Sequence, residues 1–277
     1  MVFPHATGLL ILAVALAPVA AHSQSATPGT VLEEVTVTAS RSPAEQRLDA
    51  AAGGTAIVTS RDLPATTNLT LSRALAGVPG VVVQDFFGAN DQPRVQIRGS
   101  GLQQNPVERG VLMLRNGLPL NRADGSYVVG FADPGAAGAV EVYRGYMANR
   151  LGATVLGGAL NLISPTGHDA PGVELGAGGG SFGQRDLSVR YGHERARFDT
   201  LLHGDFNDRE GYRAYNASRR ASIGGNVGTR VSDTLTVRFF ASFADLAFDV
   251  AGPLTRDALE RNPRSVFTGP TVTPMGA

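Results

Sequence analysis

Two overlapping glycine patterns in this 277-residue chain are the places where its residue types and spacing suggest covalent chemistry. Gly179-Gly180-Ser181-Phe182-Gly183 fits GxSxG, in which a serine nucleophile is exposed on a tight strand-to-helix turn, and Asp199 and His203 follow in an order that could complete a hydrolytic triad. Gly178 to Gly183 also fits GxGxxG, whose backbone amides cradle a pyrophosphate at the start of a helix. Both chemistries require strand, turn and then helix. Here Asp186 to Tyr191 alternates apolar and polar residues with period two, which predicts a strand, so the glycines read better as a hairpin turn. The five histidines show no metal-ligand spacing. The absence of cysteine excludes disulfide staples, thiol nucleophiles and thiolate metal sites. No cofactor is implied, and the chain is not expected to be an enzyme.

The elements around these patterns point to two kinds of architecture. Gly8 to Ala17 is a ten-residue apolar run broken by Pro18 and followed by small residues, which predicts a secretory signal peptide over residues 1–23, although its first residues lack Lys and Arg. That run is too short for a membrane helix, which needs about 20 apolar residues, and no other segment approaches that length, so any membrane residence must use strands. Residues 24–44 form a polar linker containing the β-prone segment 33–39. From 45 to 166 short expected strands (Ala56 to Thr59, Val81 to Gln84, Arg94 to Arg98, Val111 to Leu114, Ala139 to Tyr143) and one expected helix (Leu69 to Leu75) alternate with glycine- and proline-rich loops, describing a small α+β domain. Thirty-five glycines spread along the chain suit tight turns and close backbone packing.

After Pro165 the runs lengthen. Val173 to Ala177, Asp186 to Tyr191, Ala196 to Phe206, Ala217 to Thr229 and Leu235 to Phe243 all carry a period of two. In the third, Phe198, Thr200, Leu202 and Phe206 share one face while Asp199, His203 and Asp205 share the other. Such strands fit a transmembrane barrel with lipid outside and a wet lumen. A water-soluble antiparallel sandwich makes the same alternation, but the signal peptide and the preceding domain favour the barrel. Residues 172–277 are thus expected to be the N-terminal part of a β-barrel, with Gly252 to Ala277 an irregular tail. Balanced charge, 24 basic against 24 acidic residues, gives no support for a nucleic-acid partner.

Four pieces in order complete the reading: Pro79-Gly80-Val81, Gln96-Ile97-Arg98-Gly99, Val142-Tyr143-Arg144-Gly145, and the small-residue run Asn149 to Ser164 with its Gly157-Gly158 pair. Together they resemble the plug domain of TonB-dependent outer-membrane receptors. Glu33-Glu34-Val35-Thr36-Val37-Thr38-Ala39 resembles the family's TonB box, an unpaired β-prone segment able to add to a partner's sheet edge. The resemblance implies a fold of α+β plug domain followed by antiparallel transmembrane β-barrel strands, here an incomplete barrel, since the family uses about 22 strands. It further implies a cell-outer-membrane receptor for energy-coupled uptake of a scarce nutrient, foremost a ferric siderophore. Its partners would be the TonB complex, which takes residues Glu33, Glu34, Val35, Thr36, Val37 and Thr38, and outer-membrane lipid. Arg98 and Arg144 match arginines that in the family face barrel glutamates, a role suited to the guanidinium fork; those glutamates would lie beyond Ala277. The matching outward plug loops offer Phe86, Phe87 and Tyr127 as aromatic surface and Asn90, Gln103 and Gln104 as hydrogen-bonding groups for ligand. Several positions depart from the family pattern: Asn116-Gly117 stands for Asp-Gly, Tyr146 for proline, Leu151-Gly152 for Tyr-Gly and Ser164-Pro165 for Thr-Lys. A secreted hydrolase using Ser181 and a passive surface β-protein or adhesin are the alternatives.

Overall fold

Two five-stranded sheets of opposite character follow one another along the chain. The computed structural model describes residues 48, 53–60, 62, 69–85, 93–100, 110–127, 132–151 and 157–266. In the first half, β1 (Thr55–Thr59), α1 (Leu71–Leu75), β2 (Val81–Gln84), β3 (Arg94–Ile97), β4 (Val111–Arg115), β5 (Leu118–Pro119), β6 (Ala139–Arg144), a 3₁₀ helix (Gly145–Leu151) and β7 (Gly158–Ile163) build a small α+β body. Its sheet runs in the order β1-β6-β7-β4-β5, with β4 and β7 parallel and the other pairs antiparallel; β2 and β3 form a separate two-stranded pair. Thr70 caps α1 by accepting from the Arg73 amide. The β4 sequence Val-Leu-Met-Leu is apolar at every position because both of its faces are covered. Val111 and Met113 join one apolar cluster with Val95, Ile97, Val142, Leu160 and Leu162. Leu112 and Leu114 join a second on the opposite face, with Tyr143, Ala159 and Met147 of the 3₁₀ helix.

The second half is an antiparallel meander of longer strands: β8 (Gly172–Gly179), β9 (Arg185–Arg195), β10 (Phe198–Arg209), β11 (Ser218–Arg230) and β12 (Thr236–Phe248). Residues 164–171 connect it to the first sheet. That connector and the turns at 196–197 and 231–235 lie at one end of the meander, here the near end. The turn at 180–184, the loop at 210–217 and the segment from 249 onward lie at the far end. Strands of 11 to 13 residues in β9 to β12 are long enough for the roughly 9–11 needed to cross a bilayer at a tilt.

The polarity of this wall is inverted relative to a water-soluble sheet. Leu175 (75% exposed), Phe239 (71%), Phe243 (68%) and Ile223 (64%) project from the outer face, while Asn226 (4%), Asn207 (2%) and Asp186 (6%) are buried on the inner face. Among the described residues no second sheet covers the apolar side. An exposed apolar face over a buried polar one is the polarity of a barrel wall turned to lipid, the reverse of a soluble sandwich, which buries its apolar face. The five strands do not close on themselves. Among the described residues no helix is long and apolar enough to cross a membrane.

One expectation is corrected here. The segment after Gly252 is not wholly irregular: α2 (Arg256–Arg261) forms where Thr255 accepts from the Ala258 amide and Asp257 stands in the positive first turn. The run Arg-Asp-Ala-Leu-Glu-Arg lacks β-branched residues, and that local preference was hidden by the prolines on either side.

Candidate functional site

The four motif pieces, scattered over more than eighty residues, converge on one patch of backbone. The Arg98 amide donates to Gly80 O (3.0 Å), the Gly145 amide to Gly157 O (2.7 Å), and the Gly157 amide to Gly110 O (3.1 Å). Arg144 donates from Nη1 to Pro79 O (2.6 Å) and from Nη2 to Thr55 O (3.0 Å). Space there is too small for side chains. A Cβ at Gly54 would lie 2.9 Å from Arg98 Nη2 and 3.2 Å from Arg144 Nε, and one at Gly145, whose φ is +62°, would lie 2.9 Å from Arg98 Nη1. The two guanidiniums therefore flank the Gly54 backbone as neighbours. Arg98 is exposed, and among the described residues neither arginine is paired with a carboxylate. This is a cationic corner to which the described residues of its own domain supply only carbonyl oxygens.

A second set of contacts joins the first domain to the wall. Arg220 of β11 lies 2.8 Å from Asp133 Oδ2, with side chains 11% and 6% exposed. Arg115 Nη1 donates to Ser242 Oγ of β12 (3.0 Å), and Arg190 Nη2 of β9 to Gly135 O (2.8 Å). Nearer the connector, Asn226 Nδ2 donates to Pro165 O (2.9 Å) and the Gly167 amide to Asp199 Oδ1 (3.1 Å). Asp199 is itself held by both terminal nitrogens of Arg238 (2.7 and 2.6 Å). Burial in this seam lowers the Arg115 pKa from its ordinary value; Asp133 opposes the shift and the Arg220 charge adds to it. Between domain and wall lies a cleft of about 200 Å³, lined by Arg115, Asn116 and Asp133 on one side and by His203, Asn226 and Ser242 on the other. In the connector, His168 Nδ1 lies 2.9 Å from Glu194 Oε1, and that hydrogen bond raises the imidazole pKa.

Arg98 and Arg144 stand together beside Gly54. Tyr127 is not where it was expected. Its side chain is 2% exposed within the first apolar cluster, so it offers no aromatic surface. The cause is local. Asn121 accepts from the Met113 amide and donates to Val111 O and Gly125 O, folding the 121–127 loop back onto β4. Asp124 accepts from the Ser126 amide and hydroxyl, completing the inward turn. Residues 33–38 and Phe86, Phe87, Asn90, Gln103 and Gln104 lie outside the described residues. Ser181 sits in the far-end hairpin turn, followed by β9 rather than a helix. Asp199 lies near the opposite end of the strands, on the order of 30 Å away at about 3.3 Å per residue, so Ser181, Asp199 and His203 do not assemble. Among the described residues no group of His, Asp or Glu could hold a metal ion. Sequence reasoning placed Arg238 on the polar face of its strand but did not single out Asp133, Arg115, Arg190 or Arg220. The wall members among them stand at inward positions of the period-two pattern, and that was the available signal.

Residues 47–159 match the family model described as TonB-dependent Receptor Plug Domain. The vitamin B12 transporter BtuB of Vibrio vulnificus (strain CMCP6) is 28% identical over 181 residues, covering 65% of this chain and 28% of that protein. Among solved structures, the unliganded ferric citrate transporter FecA aligns with a TM-score of 0.61 at 18% identity over 78% of this chain and 34% of its own. The siderophore receptor PirA from Pseudomonas aeruginosa aligns with a TM-score of 0.51 at 21% identity, over 72% of this chain and 36% of its own. The copper transporter OprC aligns with a TM-score of 0.55 at 16% identity, over 72% and 32%. The chain thus spans about a third of the length of the proteins it matches. The four converging motifs, the inverted wall and these matches agree: residues 47–159 are a TonB-dependent receptor plug domain, followed by antiparallel strands of an incomplete barrel wall.

Proposed function

We propose that this chain forms the gate and the first wall strands of an energy-coupled outer-membrane uptake receptor for a metal chelate, with a ferric siderophore as the leading ligand. The observation that carries the reading is the pairing of a plug-type α+β body with a wall whose buried face is polar and whose exposed face is apolar. Such a wall has its lowest free energy with lipid outside and a hydrated plug inside. In this reading residues 1–23 are a signal peptide, residues 33–39 are a TonB box within the linker 24–44, 45–166 is the plug and 172–277 the start of the barrel. Glu33 to Thr38 would add as a strand to the TonB partner. Arg98 and Arg144 would face carboxylates of the completed barrel, in an interface that must later yield. Phe86, Phe87, Asn90, Gln103 and Gln104 remain the plug-loop candidates for ligand contact. Ligand binding and box release require no covalent step.

Structures named for a siderophore receptor, a ferric citrate transporter and a copper transporter share this fold, and a sequence relative is named for vitamin B12. The siderophore names among the structural relatives support iron as the cargo. The test is deletion of residues 33–39 in the full-length receptor, followed by assay of iron-siderophore binding and uptake in cells. Binding should persist and uptake should fall to background. Uptake that survives the deletion would end the energy-coupled reading.

A further inference from the structure

The far end of the wall carries an assembly that the uptake reading leaves unused. Three segments meet there: the β8–β9 turn, the β10–β11 loop and the stretch after β12 that holds α2. Arg213 fastens them. Its Nε and Nη2 donate to Ser265 O (3.0 and 2.9 Å), Nη1 to Gly252 O (2.7 Å), and Nη2 also to Ala251 O (3.1 Å). The Ala214 amide donates to Arg264 O (3.1 Å), and the Glu210 amide to Phe182 O (2.9 Å). On this fixed backbone Phe182 and Tyr212 meet edge to face, with ring centroids 5.3 Å apart at 83°. The Arg264 guanidinium carbon lies 5.8 Å from the first ring centroid and 5.2 Å from the second. Both rings stay 45% exposed.

The chemistry of this patch is specific. A guanidinium laid over two rings keeps an outward edge of N–H donors, and that edge matches a pair of anionic oxygens. Among the described residues, Arg264's guanidinium has neither a hydrogen-bond acceptor nor a carboxylate partner. Glu210, beside Gly183, is the nearby carboxylate and lies beyond ion-pair distance. The exposed ring faces accept a flat apolar group. We propose that Phe182, Tyr212 and Arg264 form a contact site for a ligand that joins an aromatic ring to anionic oxygens, an aryl-oxygen metal chelate of the catecholate or phenolate class, with Arg213 as the positioning residue. This rests on the uptake reading and narrows its substrate class. A lipid phosphate could use the same guanidinium, but the site stands clear of the apolar band. β10 runs three residues past Phe206, its last exposed apolar side chain, or about 10 Å. The outward Asp208 and Arg219, paired at 3.1 Å, occupy that interval.

The test measures binding of ferric 2,3-dihydroxybenzoate, ferric citrate and cobalamin to the full-length receptor in phosphatidylcholine nanodiscs. Arg264→Ala and Tyr212→Ala should each weaken the aryl chelate about tenfold and leave ferric citrate within about twofold. Tyr212→Phe, which keeps the ring and the fold, should bind like the parent. Aryl-chelate affinity unchanged in both alanine variants, or an equal loss for both iron chelates, would overturn the site. So would variants that alter only retention of added phosphatidylglycerol, which would make it a lipid contact. A parent receptor that binds ferric citrate or cobalamin but not the aryl chelate ends this inference and leaves uptake standing. A parent that binds none of the three removes both.

Discussion

The plug sheet and the wall sheet are each five strands, yet they use apolar residues in opposite ways. In β4 of the plug every position from Val111 to Leu114 is buried, because apolar clusters cover both faces. In β10 of the wall Leu201 and Asn207 point in and are buried, whereas Phe198, Leu202 and Phe206 point out and are exposed. Hydrophobicity summed over either segment would not tell them apart. The period does: a continuous run means two protein neighbours, and strict alternation means one protein neighbour and one solvent. Which solvent that is follows from the side on which the polar residues are buried.

The sharpest way to break this comparison is at the seam where the two sheets touch. Asp133→Ala leaves the Arg220 guanidinium nearly buried without its carboxylate, and should cost about 3–5 kcal/mol of stability. Urea unfolding of the full-length receptor in bilayers would measure it. The exchanged pair Asp133→Arg with Arg220→Asp should recover part of the loss, which a mere packing defect would not. A cost below about 1 kcal/mol would mean that the plug is not docked through this pair. Next in size is a charge on the outer face. Phe239→Arg should cost about 2–4 kcal/mol in lipid, while Thr234→Arg in the near-end turn should stay within about 0.5 kcal/mol. Equal small costs at both positions would place water on the outer face and restore the soluble sandwich.

Much of this was legible in the sequence, and the part that was not has a physical pattern. Wall strands, their faces and their turns follow from a period that lipid and lumen enforce along the whole length. The motif glycine Gly145 was legible as a close-packing point, since a Cβ there would lie 2.9 Å from Arg98 Nη1, whereas Gly54, outside the motifs, was not. Tyr127 was misread because its placement depends on Asn121 and Asp124 folding a loop through side-chain hydrogen bonds, which no periodicity reports. The Asp133–Arg220 pair joins residues 87 positions apart, one in the loop before β6 and the other on β11, and a single sequence carries no mark of such a partnership. The far-end assembly was missed for the same reason, since Phe182, Tyr212 and Arg264 belong to three separate loops.

A smaller contrast separates the two motif arginines. Arg144 spends two charged donors on the carbonyls of Pro79 and Thr55, so Arg144→Ala should cost about 1.5–3 kcal/mol. Arg98 has no such bonds among the described residues, so Arg98→Ala should stay within about 0.5 kcal/mol for the plug's own stability. If Arg98→Ala proves as costly as Arg144→Ala in the full-length receptor, a carboxylate from elsewhere in the barrel must be supplying the difference. Unfolding in bilayers, repeated on the two single variants and the double, separates these cases.

The smallest effect concerns pH and the connector. His168 hydrogen-bonds Glu194, and that bond, followed by the Glu194 charge, raises its pKa in the folded protein. A raised folded pKa means that the contribution is fully present below the ordinary histidine value of about 6.5 and is lost as pH rises through the raised value. The adjacent Gly167 amide, bonded to Asp199, is the local reporter. Its hydrogen-exchange protection, corrected for the intrinsic rate, should decline as pH rises through that window in the parent and stay flat in His168→Ala. Because the two side chains are 72% and 46% exposed, the effect should be weak and should vanish in about 1 M salt, where screening acts within roughly 3 Å. The Asp133–Arg220 pair, shielded between plug and wall, should keep its contribution in the same salt. If high salt weakened both pairs alike, the seam would be as wet as the connector, and plug and wall would be held together by something other than buried charge.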